Sequence, residues 1–160
     1  RWVGPMKTVN AVGQSVVNHR RDESGRRQAS TIPDHVDITG ELELGGQMRL
    51  NVTTVAGLAA YPIDIHIFGS EGTLRLYQAP GGQTTLAAGK RGDKRLKDVK
   101  IPKSKQGVWR VEEEFINAIR GKEEITHTDF ATAVKYMEWT DAVTMSLRHR
   151  EVVKLPLMGN

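Results

Sequence analysis

Through much of the first two-thirds of the chain, apolar residues fall at every second position. Val36, Ile38, Gly40, Leu42 and Leu44 alternate with Asp37, Thr39, Glu41 and Glu43, the period of a strand with one face covered. Gly45-Gly46 follows as a hairpin turn, and Gln47 to Val55 is the returning strand. Ile63, Ile65 and Ile67 alternate with Asp64, His66 and Phe68. Gly69 to Gly72 then predicts a tight turn and Thr73 to Tyr77 the next strand. Shorter strands are read at Thr84–Ala88 and Leu96–Ile101, and Met6 to Val17, rich in valine and small residues, supplies the first one. Short strands joined by short turns predict a largely antiparallel sheet. Residues Asn18 to Pro33 carry no period and read as a loose loop.

The period changes in the last third. Val108, Val111, Phe115, Ala118 and Ile119 recur at helical spacing, with Gly121 as the stop. A second helix is predicted from a cap at Thr126 or Thr128 to about Arg148. Its stripe is read as Phe130, Ala133, Val134, Met137, Thr144 and Met145; Trp139 and Val143 lie opposite, so burial on two sides is expected. Val152 to Leu155 is a closing strand. Strands followed by helices predict an α+β fold: a largely antiparallel open-faced sheet with helices packed on one face. Residues 1–160 are read as a single domain.

Composition narrows the chemistry. The chain has 160 residues, 38% hydrophobic and 26% charged, and no cysteine. The balance is that of a globular domain, and thiol nucleophiles, disulfides and zinc-thiolate sites are excluded. No apolar run reaches the ~20 residues of a membrane span, and no signal peptide is recognised; a cytoplasmic protein is expected, with neither membrane nor nucleic acid as partner. The chain opens on Arg1 and is expected to be a piece of a longer one. Its net charge of +4 is local. Lys90 to Lys105 holds eight basic and two acidic residues, with no aromatic interleaved, and reads as a solvated hairpin and loop rather than a nucleic-acid surface.

Glycine-rich phosphate loops, zinc-helix motifs, nucleophile elbows and calcium loops are all missing from the sequence. Asp34, His35 and Asp37 cluster in sequence, but strand neighbours point to opposite faces and do not converge simply on a metal. Asp64 and His66 share one strand face, where a carboxylate beside an imidazole makes an acid–base or binding pair; the same residues also fit an ordinary polar outer face. Asp141 falls among the apolar positions of the second helix and is expected to pair with Arg148, Arg75 or a nearby lysine rather than to act in catalysis. His19, Arg20 and Arg21, with Arg26 and Arg27 nearby, suit an anionic or polyhydroxyl ligand, or else a solvated loop.

Five segments occur in a characteristic order: Arg1-Trp2-Val3-Gly4-Pro5-Met6-Lys7-Thr8-Val9-Asn10-Ala11; Asp34-His35-Val36-Asp37-Ile38 through Gly45-Gly46; Ile67-Phe68-Gly69-Ser70-Glu71-Gly72-Thr73-Leu74; Glu114-Phe115-Ile116-Asn117-Ala118-Ile119-Arg120-Gly121-Lys122; and Val134 to Ser146 with Arg148 to Leu155. Together they resemble the C-terminal domain of the Gfo/Idh/MocA oxidoreductases. The resemblance implies a parent enzyme in which an N-terminal Rossmann domain binds NAD or NADP, with hydride moving between the nicotinamide and a hydroxyl or carbonyl carbon of a sugar or polyol. The family's E-K-P lysine and its D-x-x-x-H aspartate and histidine do not occur here, so no catalytic or cofactor-binding residue is carried over, and the chain by itself is expected to bind no cofactor and to be inactive. The resemblance further implies a homodimer or higher homo-oligomer through the open sheet face, and a small-molecule substrate. His19, Arg20, Arg21, Asp64 and His66 are the candidate substrate-binding residues. A stand-alone binding or dimerisation module is the alternative.

Overall fold

The computed structural model describes residues 2–126 and 129–157. Among the described residues ten strands and two α-helices follow one another: β1 (Thr8–Gln14), β2 (His19–Arg21), β3 (Arg27–Ala29), β4 (His35–Glu41), β5 (Gln47–Thr53), β6 (Ile63–Phe68), β7 (Gly72–Gln78), β8 (Thr84–Lys90), β9 (Lys97–Asp98), α1 (Val111–Ile119), α2 (Phe130–His149) and β10 (Val153–Lys154). Every strand pairing is antiparallel and the sheets are open. The fold is α+β. The chain divides into two compact units, one made of Arg1–Val55 with Arg110–Asn160 and the other of Ala56–Trp109.

The first unit holds a four-stranded sheet in the order β10-β1-β4-β5. Val9, Ala11, Ile38 and Val153 alternate onto one face and are buried there with Met6 and with Ala142 of α2. Helix α2 lies on this face against β1 and β10. The approach is close because small residues meet the sheet: Ala142 and Ser146 are both fully buried. Ser146 also acts as a polar rivet. Its Oγ accepts from Ala11 N–H at 2.9 Å and donates to the Glu151 carbonyl at 2.6 Å. The β1–β10 register pairs Thr8 with Lys154 and Val9 with Val153, and the hydroxyl joins β1 to the chain just before β10. Gly40 admits no side chain, since a Cβ there would sit 2.0 Å from the Thr8 carbonyl oxygen. The hairpin between β4 and β5 turns on Gly45 and Gly46, both at positive φ (88° and 96°), which glycine alone adopts without strain.

Three expectations are corrected here. Residues 18–33 are not a loose loop: β2 and β3 form a two-stranded hairpin. Its turn is organised by Asp22, whose carboxylate accepts from Ser24 N–H, Ser24 Oγ, Arg26 N–H and Gln28 Nε2. Helix α2 is capped by Asp129, whose carboxylate accepts from Thr132 N–H at 2.7 Å, and not by Thr126; Thr128 lies outside the described residues. An acceptor-only carboxylate suits the exposed N–H groups and positive end of a helix. The stripe of α2 is also reversed. Trp139, Ala142, Val143, Ser146 and Leu147 face the core, whereas Phe130, Val134, Met137 and Met145 are exposed. Both sides carry apolar residues, and only the small ones permit close contact with a sheet. Helix α1 likewise exposes Phe115 and Ile119 and buries Glu114, which accepts from Thr126 Oγ1 at 2.6 Å.

The second unit is a meander in the order β6-β7-β8-β9. Its register sets Asp64 opposite Tyr77, His66 opposite Arg75 and Phe68 opposite Thr73, which puts all of these on one face. The other face carries Ile63, Ile65, Ile67, Leu74 and Leu76, of which Ile63, Ile65 and Leu74 are exposed. Strand β9 is shorter than predicted, at two residues.

Candidate functional site

The period-two pattern of β6 brings Asp64 and His66 together as expected. His66 Nε2 lies 3.1 Å from Asp64 Oδ1. The strand opposite adds residues that the sequence did not single out as site members. Arg75 grips Asp64 in a two-pronged pair, Nε to Oδ1 at 2.8 Å and Nη2 to Oδ2 at 2.9 Å. Its guanidinium also lies over two rings, 4.7 Å from the centroid of Tyr61 and 4.6 Å from that of Tyr77, and these tyrosines meet edge to face at 5.2 Å. The ring of His66 stacks on Phe68 at 5.6 Å. The Arg75 pair, then His66, hold the Asp64 carboxyl below the usual carboxylate range, against the opposing effect of burial. Asp64 therefore stays ionised and fixes the imidazole, leaving Nδ1 as the ring nitrogen that Asp64 does not engage.

The hairpin separates the other three candidates. Arg20 stands on the face that carries Gln28, and its Nη2 donates to Asp34 Oδ2 at 3.2 Å. Asp34 is buried and also accepts from Val16 N–H (2.8 Å) and Val17 N–H (3.0 Å). The Val16 bond is the largest cause of its lowered pKa. The sequence cluster Asp34, His35 and Asp37 is thus split, with Asp34 serving as the anchor of the hairpin. His19 and Arg21 project from the opposite hairpin face; Arg21 Nη1 donates to the Gly25 carbonyl at 2.9 Å. The two candidate groups belong to different units.

Two members of the sequence cluster that was set aside, His35 and Asp37, do meet, and Asn51 joins them. His35 Nε2 lies 3.4 Å from Asp37 Oδ2, and Asn51 Nδ2 donates to Asp37 Oδ1 at 3.0 Å. The signal was present: His35 and Asp37 are two apart on a strand, and the Gly45-Gly46 turn puts Asn51 directly opposite Asp37. Among the described residues no group of three or more histidines, aspartates or glutamates forms a metal site. Asp141 is exposed on α2 and not in the core stripe, because the buried face of that helix is the opposite one. An open groove of about 560 Å³ follows the β6–β7 turn, lined by Ile67, Gly72, Leu74 and Lys90 among others, and none of the five candidates lines it. No described helix is long and apolar enough to cross a membrane.

No family model and no curated protein matches the chain. Solved structures do. An NAD binding oxidoreductase from Klebsiella pneumoniae superposes with a TM-score of 0.73 at 14% identity, over 94% of this chain and 46% of that one. Levoglucosan dehydrogenase, in complex with NADH and L-sorbose, gives 0.74 at 19% identity, over 95% and 46%. The WlbA dehydrogenase from Bordetella pertussis, in complex with NADH and UDP-GlcNAcA, gives 0.65 at 22% identity, over 97% and 40%. The chain spans less than half the length of each. These are an oxidoreductase and two dehydrogenases, and the α+β fold described above is the fold of one part of each. Among the described residues there is no Rossmann-type dinucleotide cradle: the strand pairs are all antiparallel and no strand passes through a glycine-rich turn into a helix.

Proposed function

We propose that this chain is the C-terminal, substrate-side part of an NAD(P)-dependent oxidoreductase acting on a hydroxyl or carbonyl carbon of a sugar or polyol. The observation that carries the reading is the fold, shared over 94% to 97% of this chain with an NAD binding oxidoreductase and two dehydrogenases more than twice as long. In this reading the nicotinamide nucleotide and the residues that hold it lie outside the chain. His66, fixed by Asp64, offers Nδ1 to a substrate hydroxyl. His19 and Arg21 offer further donors, and Arg20 positions their hairpin through Asp34. A homo-oligomer through the open sheet faces fits the same reading, and so does a cytoplasmic location. A second reading, a stand-alone dimerisation module, draws on the exposed Ile63, Ile65 and Leu74.

The test begins with the reading frame upstream of Arg1. A strand–glycine turn–helix unit followed by E-K-P and D-x-x-x-H is expected, and the full-length product should oxidise or reduce a member of a sugar panel with NAD(P)(H). A frame that starts at Arg1 overturns the reading and leaves the dimerisation module. Titration of this chain with NADH, followed by nucleotide fluorescence, is expected to give no saturable signal; saturation at micromolar nucleotide would overturn the assignment of the cofactor to another segment.

A further inference from the structure

The β2–β3 hairpin is built with two unlike faces. In its register Arg20 pairs with Gln28, Arg21 with Arg27 and His19 with Ala29. Directly opposed residues of an antiparallel pair project to the same side, with Cβ atoms roughly 5 Å apart. One face therefore carries Arg20 and Gln28, and both are committed: Arg20 to the buried Asp34, and Gln28 Nε2 to Asp22 Oδ2. The acid of the turn is drawn to that same face. The other face carries His19, Arg21 and Arg27, all exposed. Among the described residues the Arg21 side chain bonds to a neutral carbonyl, that of Gly25, and no carboxylate pairs with Arg21, Arg27 or His19. Like charges directly opposed across a strand pair repel and destabilise it. Here two guanidiniums are opposed on a hairpin whose Asp22 is engaged by the turn, while Glu23 beside it pairs with neither guanidinium among the described residues.

We propose that the His19–Arg21–Arg27 face is a binding site for an anionic group, a carboxylate or phosphate monoester, bracketed between the two guanidiniums. Each guanidinium presents a planar fork of N–H donors that matches the oxygens of such a group, and the bound anion relieves the Arg21–Arg27 repulsion. Arg20 takes no part in binding and serves only to dock the hairpin. The proposal deepens the functional reading by giving the substrate class a charged substituent, and rests on that reading only for the word substrate; the anion site itself stands on the hairpin.

The experiment is an amide-shift titration of the 160-residue chain with inorganic phosphate, glucose 6-phosphate, glucuronate and neutral glucose. Saturable shifts confined to residues 19–21 and 27–29 are expected with the three anions and not with glucose. Shifts with phosphate and glucose 6-phosphate alone would assign a phosphate, and shifts with glucuronate alone a carboxylate. Arg27→Gln, which breaks no side-chain hydrogen bond or ion pair among the described residues, should weaken binding tenfold or more. Arg27→Lys should recover part of the affinity, and Lys94→Gln, in the basic stretch of the other unit, should leave it within twofold. The proposal is overturned by no saturable shift up to tens of millimolar anion, by shifts that Arg27→Gln leaves intact, or by shifts equally large over residues 90–105. None of these readouts needs a nicotinamide, so the site and the oxidoreductase reading succeed or fail separately.

Discussion

Single residues carry much of this fold, and the sequence reveals some better than others. Gly40 reads as one more member of an alternating face, yet it is the point where β4 passes within a Cβ of the Thr8 carbonyl. Gly40→Ala is expected to cost about 1–3 kcal/mol, the range of overpacked cores, with a matching fall in the denaturation midpoint. Ser146 gives no signal at all in a hydrophobic pattern, because a serine one turn from the end of a helix is ordinarily solvated. Its importance comes from partners 135 positions away at Ala11 and five away at Glu151. Ser146→Ala strands a buried N–H and a carbonyl together and should lower stability by about 2 kcal/mol, measured by urea unfolding. Asp64 and His66 were legible because period two alone decides which residues of a strand meet. Arg75, the residue that holds them, becomes visible only once the β6–β7 register is known.

Elements differ in the same way. The strands were found from alternation and the helices from their spacing, but alternation says nothing where a segment is short and basic. The β2–β3 hairpin is held by a buried carboxylate and an Asp-centred turn, and neither leaves a hydrophobic trace. Asp34→Asn removes the charge that Arg20 pairs with and one strong acceptor from the Val16–Val17 backbone. Trypsin should then cut faster at Arg20, Arg21, Arg26 and Arg27 while the rest of the chain resists as before; equal rates in variant and wild type would deny Asp34 its anchoring role. For α2 the sequence offered two apolar sides without ranking them. Met137→Lys, on the exposed side, should change stability by no more than ~0.5 kcal/mol, whereas Val9→Ala, in the fully buried layer beneath the helix, should cost about 2 kcal/mol.

At the scale of the molecule, charge and chain order act together. The carboxyls of Asp22, Asp34, Asp37, Asp64 and Glu113 are all held below their ordinary values, by hydrogen bonds above all. A group with a depressed folded pKa stabilises fully above its unfolded value, here 3.8 for the aspartates, and its contribution drains away as pH falls through the lower folded value. Circular dichroism should therefore record a stability that holds from neutrality to about pH 4–5 and falls steeply below it, in both units at once. The strand order β10-β1-β4-β5 was the least legible feature, since β10 has two residues and finds its partner at the far end of the sequence. That pairing also sets a timetable for synthesis. Ala56–Trp109 is contiguous and can assemble as soon as it leaves the ribosome, whereas the first unit waits for Val153 and Lys154. Until then β1 presents a bare edge to the cell, and a pause late in translation would lengthen the interval in which the nascent chain needs a chaperone.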